Sequence, residues 1–165
     1  MDKRVVITGM GAVTCVGNNV ADTWDSLLNG RSGIRKVTRF DASRYKTQIG
    51  GEVKNFDFSP YMPEKEARRL DLFCHYAIAA SDEALSNAGI PKDLSSVDPR
   101  RVGVLIGSGI GGLKTLEDQN SILFSRGPER ISPLLIPMMI GDMASGSVSM
   151  RYGARGPNFG IVTAC

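Results

Sequence analysis

The feature that most constrains the fold of this chain is the alternation of apolar runs with segments of helical periodicity. Buried strands are predicted over Arg4–Val16, interrupted by Gly9 and Gly11, and over Arg101–Ile106 and Asn158–Thr163. Helices are predicted over Ala21–Leu28, Pro63–Ala88, Leu113–Leu123 and from Ser132 onward. Ser32–Pro63 is irregular, with one strand predicted near Gln48–Val53. Strands that alternate with helices indicate a layered α/β fold.

The helix that begins at Ser132 carries more apolar side chains than a surface helix needs. Its first turn holds Pro133, and apolar residues then follow on nearly every side, among them Ile136. Gly141 and Gly146 are small enough for another backbone to approach. We therefore expect either the core or a subunit interface to cover this helix.

Charge and composition narrow the classes of function. The net charge of +3 is too small and too evenly spread to predict nucleic-acid binding. The N-terminus has no apolar segment of signal-peptide length, and no run approaches the length of a membrane span. The sequence therefore predicts a soluble cytoplasmic protein that binds neither nucleic acid nor membrane.

The cysteines and the histidine do not form a metal or disulfide pattern. Cys15, Cys74 and Cys165 are odd in number and lack paired spacing, so a disulfide framework is not expected. His75 is the single histidine and there is no CxxC motif, which argues against a metal site. We expect Cys15 and Cys74 to be small buried apolar residues, and His75 to be either a packed or a solvated side chain.

One glycine loop matches a dinucleotide-binding pattern. Gly107–Gly112 satisfies GxGxxG and follows a predicted strand, and such a loop can bring the backbone close to a pyrophosphate. The pattern also needs an acidic residue about 20 positions later at the end of a second strand. Glu129 has about that spacing but lies in a turn. A loop that serves structure or a substrate pocket is therefore favoured over a nucleotide site.

An ordered series of motifs resembles the β-ketoacyl-acyl carrier protein synthases. In chain order these motifs are Val5–Gly11, Ile106–Gly112, Ile131–Pro133, Tyr152–Pro157 and Thr163-Ala164-Cys165, which matches the nucleophile motif of that family. The resemblance covers essentially all 165 residues and is nearest to the synthase II type, which elongates longer acyl chains. A single motif would be weak evidence, but the ordered set is specific.

The resemblance implies a fold, an assembly and a reaction. The fold would be the thiolase-like α-β-α-β-α layering, built as a homodimer, and residues 1–165 would be its N-terminal part, ending at the nucleophile. The reaction would be the decarboxylating Claisen condensation of an acyl-cysteine with malonyl-acyl carrier protein in fatty-acid elongation. No cofactor is implied, because the carrier protein brings its own phosphopantetheine. The two histidines and the lysine of the decarboxylation step belong to the family's C-terminal half.

The resemblance also assigns site residues. Cys165 would be the nucleophile, and its own backbone N–H would help stabilise the oxyanion. Ile110 and Ile136 would line the acyl pocket, Ile136 from across the dimer. Lys65, Arg68 and Arg69 would bind the acidic carrier protein. From the residues alone these three are also compatible with a solvated helix face, although cations near a helix N-terminus oppose the macrodipole.

The chemistry of acyl transfer explains why a cysteine would stand where Cys165 does. Attack on a thioester needs a thiolate, and a free thiol has a pKa of about 8.5. A helix N-terminus after a buried strand would lower that pKa through its unpaired N–H groups. Taken without its motif, Cys165 would be interpreted as a small buried apolar residue.

Three alternatives stay open at this point. A thiolase would share the fold and the cysteine but use coenzyme A, and the basic cluster argues against it. A nicotinamide-dependent oxidoreductase would use the Gly107–Gly112 loop. A non-catalytic partner subunit is disfavoured because such subunits replace the cysteine found here as Cys165.

Overall fold

Two parallel strands, β3 (Val104–Ser108) and β4 (Asn158–Val162), form the sheet on which the rest of the chain is arranged. The computed structural model describes residues 4–164. Within that range the helices are α1 (Val20–Leu28), α2 (Glu64–Ala67), α3 (Leu72–Asn87), α4 (Leu113–Arg126), α5 (Leu135–Met139) and α6 (Met143–Tyr152). A small antiparallel pair, β1 (Ile34–Lys36) and β2 (Ile49–Gly51), lies apart from the parallel sheet. The predicted α/β class is confirmed.

The core lies between α3, α6 and the parallel sheet. Helix α6 packs against both strands, and α3 packs against α6. Ile78 of α3 and Val148 and Tyr152 of α6 are buried in this cluster, together with Met62, Ala67 and Leu94. The Tyr152 hydroxyl donates within it to the carbonyl of Ile78 at 3.3 Å. Burial of each large apolar side chain contributes about 2 kcal/mol before the entropic costs of folding.

Several elements lie where the sequence predicts them. Helix α1 begins after Asn19, whose side chain accepts from the backbone N–H of Asp22 at 2.7 Å. It ends before Gly30, which has a φ of +60°. Strand β2 lies inside the predicted strand near Gln48–Val53, whereas the three-residue β1 was not predicted.

The single helix predicted over Pro63–Ala88 is wrong, because the chain forms α2 and α3 with a break between them. Helix α2 ends at Ala67, and the backbone turns through Arg68–Leu70. Asp71 then has extended geometry, and its side chain accepts from the backbone N–H of Phe73 as the N-cap of α3. A capping aspartate stabilises a new helix start at the expense of a continuous helix.

The helix predicted from Ser132 also divides in two. Helix α5 begins at Leu135 and ends at Met139, and Ile140 has extended geometry. The carbonyl of Met139 accepts from the backbone N–H of Gly112 at 2.8 Å instead of continuing the helix. Gly141 packs so closely against Val162 that an added Cβ would overlap that side chain.

The strand predicted over Arg4–Val16 is also wrong within the residues described. Residues 4–13 have no strand assignment, and only Thr14 and Gly17 form an isolated bridge. The apolar residues Val5–Ile7 are exposed, with Val5 at 96%. An apolar run becomes a strand only when another strand pairs with it, and the described part of the chain supplies none here.

The prediction that β3 and β4 are buried strands is wrong for the same reason. Along β3 half-buried residues alternate with exposed ones, and β4 is exposed throughout. Helix α6 covers one face of the pair. The described residues leave the other face open.

Candidate functional site

The carboxyl ends of β3 and β4 bring two predicted motifs to one edge of the sheet. The strands are parallel and in register, with Ser108 opposite Val162. The glycine loop therefore leaves the sheet beside Thr163 and Ala164. In open α/β sheets this edge is where ligands bind.

The chain changes direction sharply just before the predicted nucleophile. Ala164 has a φ of +45°, in the left-handed region that costs a residue with a Cβ about 1–2 kcal/mol. Non-glycine residues in that region cluster at functional sites, because the surrounding structure must hold them there. Cys165 itself lies outside the described residues.

The glycine loop is packed against the end of α5. Gly111 has a φ of +93°, and a Cβ there would overlap the carbonyl oxygen of Met139. A Cβ on Gly112 would overlap the carbonyl oxygen of Met138. Glycine is needed at both positions because the α5 carbonyls approach so closely.

Two backbone N–H groups of this loop and one at the start of α4 already have protein partners, which argues against a nucleotide site. Gly111 donates to the Ser108 hydroxyl at 3.0 Å, and Gly112 donates to Met139. At the start of α4, the Thr115 N–H donates to the Asp71 carboxylate at 3.2 Å. The carboxylate of Asp71 therefore occupies the helix terminus that a pyrophosphate would need.

The two predicted pocket residues lie near this edge, but the described residues do not enclose them. Ile110 is 60% exposed in the glycine loop, and Ile136 is 56% exposed on α5. The loop and α5 are in contact through Gly111, Gly112 and Met139. A mainly apolar cavity of about 270 Å³ opens nearby between α3, β3 and α6, lined by Val13, Phe73, Tyr76, Ala77, Ala80, Ile106, Gly107, Ser108 and Ala144.

The predicted carrier-binding residues share one exposed turn. Lys65 lies on α2, Arg68 follows its last residue, and Arg69 comes next. We call these three residues the basic turn. Because α2 ends at Ala67, Arg68 and Arg69 lie at a helix C-terminus, where cations are favoured. The prediction that all three lie on one face of a long helix near its start is therefore wrong.

The basic turn keeps much of its positive charge available. Arg68 pairs with Glu64 at 2.5 Å, and both side chains are exposed. Within residues 4–164 neither Lys65 nor Arg69 has an ion-pair partner. An exposed pair such as Arg68–Glu64 contributes little and can exchange for a partner's carboxylate.

Cys74 is a core residue, as the sequence predicts, and of the packed and solvated positions open to His75 the structure shows the packed one. The Nε2 atom of His75 lies 2.9 Å from the carbonyl oxygen of Ala67, and its ring contacts Phe58. Cys74 is fully buried, and burial raises the pKa of its thiol to about 12.

Asp71 is the residue at this edge that sequence reasoning missed. Its carboxylate accepts from the Thr115 hydroxyl at 2.6 Å as well as from the Thr115 N–H. An aspartate directly before the apolar Leu72 is a helix-start signal. That signal was overlooked because one continuous helix was predicted across this position.

The structure gives two further findings that bear on function. Residues 4–164 contain no group of three or more histidine, cysteine, aspartate or glutamate side chains arranged to hold a metal. Among the helices described, none combines the length and the apolar character needed to cross a membrane.

Known proteins share both the sequence and the fold. The chain is 52% identical over 163 residues to 3-oxoacyl-[acyl-carrier-protein] synthase 2 of Synechocystis, covering 99% of this chain and 39% of the relative. It therefore spans about two fifths of that protein's length. The ishigamide ketosynthase/chain length factor superposes on 97% of this chain and 40% of its own, with a TM-score of 0.85 and 24% identity, which supports the thiolase-like ketosynthase fold.

A second solved structure contains a carrier protein. It is described as a type II PKS acyl-carrier protein in complex with its ketosynthase bound to the hexaketide. The match covers 93% of this chain and 41% of the other, with a TM-score of 0.73 and 26% identity. The family model for the β-ketoacyl synthase N-terminal domain matches residues 2–165. The chain therefore belongs to the β-ketoacyl synthase family.

Proposed function

We propose that residues 1–165 are the N-terminal part of a 3-oxoacyl-acyl carrier protein synthase of the synthase II type. The observation that carries this proposal is the 52% identity over nearly the whole chain to a protein of that name. The large exposed apolar area and the greater length of the relative support a longer protein, which we call the complete protein. We propose that it acts as a cytoplasmic homodimer.

The reaction that we propose has two half-reactions. The Cys165 thiolate attacks the carbonyl carbon of an acyl-carrier thioester, and the carrier's phosphopantetheine thiol leaves. Malonyl-carrier protein then loses carbon dioxide, and the resulting carbanion attacks the acyl-cysteine. The cysteine thiolate leaves, and the product is a 3-oxoacyl-carrier protein two carbons longer. The phosphopantetheine arrives on the carrier, so this chemistry needs no further cofactor.

The geometry at the sheet edge supports these roles. Ala164, directly before Cys165 in the sequence, has a positive φ, a backbone strain that clusters at functional sites. Ile110 follows the end of β3 at the same edge, two residues after Ser108, which lines an apolar cavity that we propose for the acyl chain. Ile136 would reach a neighbouring subunit's pocket from the exposed side of α5.

The basic turn supports carrier protein over coenzyme A as the acyl donor. Lys65, Arg68 and Arg69 form an exposed positive surface that matches an acidic partner. A related ketosynthase has been solved with its carrier protein bound. A thiolase-type transferase that uses coenzyme A is the second candidate.

Mass spectrometry of the product tests this function. The complete protein, given octanoyl-carrier protein and malonyl-carrier protein, should form 3-oxodecanoyl-carrier protein and release carbon dioxide. Condensation of acetyl-coenzyme A without loss of carbon dioxide, and no product from the carrier thioesters, would support the thiolase instead.

A further inference from the structure

One carboxylate connects the first turns of two helices that are far apart in the sequence. Asp71 Oδ1 accepts from the backbone N–H of Phe73 at 3.4 Å, at the start of α3. Asp71 Oδ2 accepts from the hydroxyl of Thr115 at 2.6 Å and from its backbone N–H at 3.2 Å, at the start of α4. Thr115 is buried, so water competes poorly for these bonds.

The connection lies between the two surfaces to which function is assigned. Asp71 follows Arg69 of the basic turn by two residues, and Thr115 follows Gly112 of the glycine loop by three. A Cβ on Gly112 would lie 3.0 Å from Asp71 Oδ2. The carboxylate therefore contacts the glycine loop at the point where it becomes α4.

An aspartate accepts hydrogen bonds from the donors at this position better than asparagine, its neutral isostere. Both helix N-termini carry partial positive charge, and an ionised carboxylate can accept from donors on both. In Asp71→Asn one oxygen becomes an amide NH₂ group, which cannot accept. At least one of the bonds to Phe73 or Thr115 is then lost.

We propose that Asp71 is a positioning residue. It holds the glycine loop, and with it Ile110, at a fixed position relative to the basic turn. Through this contact it sets which acyl chain lengths the pocket accepts. This inference rests on the proposed function. Within the described residues its carboxylate bonds to Phe73 and Thr115, and we assign it an effect through Thr115 and the loop.

Hydrogen exchange of the complete protein tests the contact independently of activity. In Asp71→Asn and in Thr115→Val, backbone exchange over residues 111–115 should accelerate by about tenfold or more, as expected when a hydrogen bond to a charged group is lost. Thr115→Ser keeps the hydroxyl and should stay within about twofold of the unmodified protein. Glu83→Gln is the matched control, because Glu83 accepts from the N–H groups of Ala12 and Val20 from elsewhere on α3.

The ratio of acylation rates with octanoyl- and hexadecanoyl-carrier protein tests specificity. This ratio should change by about fivefold in Asp71→Asn and Thr115→Val, and by less than about twofold in Thr115→Ser and Glu83→Gln. If Asp71→Asn does not fold, the Thr115→Val and Thr115→Ser pair decides the matter.

The possible results separate the two proposals. Unchanged exchange over residues 111–115 would overturn the contact, and changed exchange with an unchanged ratio would overturn the role in specificity. An unmodified complete protein that accepts no acyl group would contradict the proposed function, while the exchange data would still decide the contact.

Discussion

At the scale of single residues, burial makes Cys74 unsuited to nucleophilic chemistry. Cys74 is 0% exposed on α3, and burial raises the pKa of its thiol from an ordinary 9.0 to about 12. It therefore stays protonated at neutral pH, whereas a nucleophile must be a thiolate. Cys15 is half-buried, with Gly33 and Gly51 packed around its sulfur.

The raised pKa of Cys74 predicts a pH dependence of stability. Below about pH 9 the thiol is neutral in the folded and unfolded chains, so its contribution is fully present. Above about pH 9 the Cys74 thiol ionises in the unfolded chain but not in the folded one. The free energy of unfolding therefore falls until the pH reaches about 12, the pKa of this thiol in the folded protein. Between about pH 8 and pH 10, the ionisation of Cys74 should lower the free energy of unfolding by about 1.4 kcal/mol.

Urea denaturation of the complete protein at these two pH values measures the effect. Cys74→Ala is less stable overall because a core side chain is truncated, but it should lose about 1.4 kcal/mol less between the two pH values. Equal losses in both proteins would show that Cys74 ionises as easily in the folded state as in the unfolded one.

The sequence predicted single residues well where the signal is local. The burial of Cys74 follows from the apolar period around it. Asp71 could not be assigned its role, because its partner Thr115 lies 44 positions away. A bond between elements leaves no periodic pattern in either one.

At the scale of elements, α3 is the surface against which the N-terminal segment packs. A Cβ on Gly9 would overlap the carbonyl oxygen of Ala84, and one on Gly11 would overlap that of Ala80. The Glu83 carboxylate adds bonds from the N–H groups of Ala12 and Val20, both at 2.9 Å. The glycines in this segment therefore serve close packing on a helix with small side chains.

Substitution of Gly11 tests this packing. Gly11→Ala should lower the free energy of unfolding by about 3 kcal/mol, because the backbone must move away from α3. Gly30→Ala is the control, since Gly30 has a positive φ but open space around it, and it should cost about 1 kcal/mol. Urea denaturation of both variants measures these changes. An equal loss of unfolding free energy in Gly11→Ala and Gly30→Ala would contradict the close approach of Gly11 to α3.

The basic turn predicts a selective effect of charge reversal. Changing Lys65, Arg68 and Arg69 to glutamate should lower kcat/KM with acyl-carrier protein by about tenfold or more, because the patch would repel an acidic partner. Activity with a small acyl thioester should change by less than about twofold, since that substrate needs no docking surface.

Lys46→Glu is the matched control for the basic turn, because Lys46 is exposed in the irregular segment. It should leave kcat/KM with both donors within about twofold of the unmodified protein. An equal loss with carrier protein and with the small thioester in the triple variant would place the effect in folding and not in docking.

The helix breaks show where sequence patterns stop being informative. Apolar periodicity continues across Arg68–Leu70 and across Ile140, so both regions were predicted as uninterrupted helix. The breaks arise from contacts with other elements: Asp71 with α4, and the Met139 carbonyl with the glycine loop. Propensity is a weak prior wherever such contacts compete with it.

At the scale of the whole molecule, residues 4–164 cover one face of the sheet formed by β3 and β4 and leave its other face exposed. The side chains of Leu105, Phe159 and Ile161 are exposed, as are Val5 and Trp24. Exposed apolar area of this kind marks a surface that another part of a protein covers. This agrees with a chain that spans about two fifths of its relative's length.

The same uncovered face explains which large-scale predictions succeeded. The α/β class depends on segments inside this chain. The strand over Arg4–Val16 and the burial of β4 need neighbours that the described residues do not provide. A pattern of apolar residues predicts that a segment is covered, but it does not identify what covers it.

The central claim is that an acyl chain from a carrier protein becomes covalently attached to Cys165. The most direct measurement is peptide mass spectrometry of the complete protein after incubation with octanoyl-carrier protein alone, with Cys165→Ala as the comparison. We expect one octanoyl group on the peptide that contains Cys165, none on those with Cys15 or Cys74, and none in the variant. Octanoylation of the Cys165→Ala protein to the same extent would contradict it.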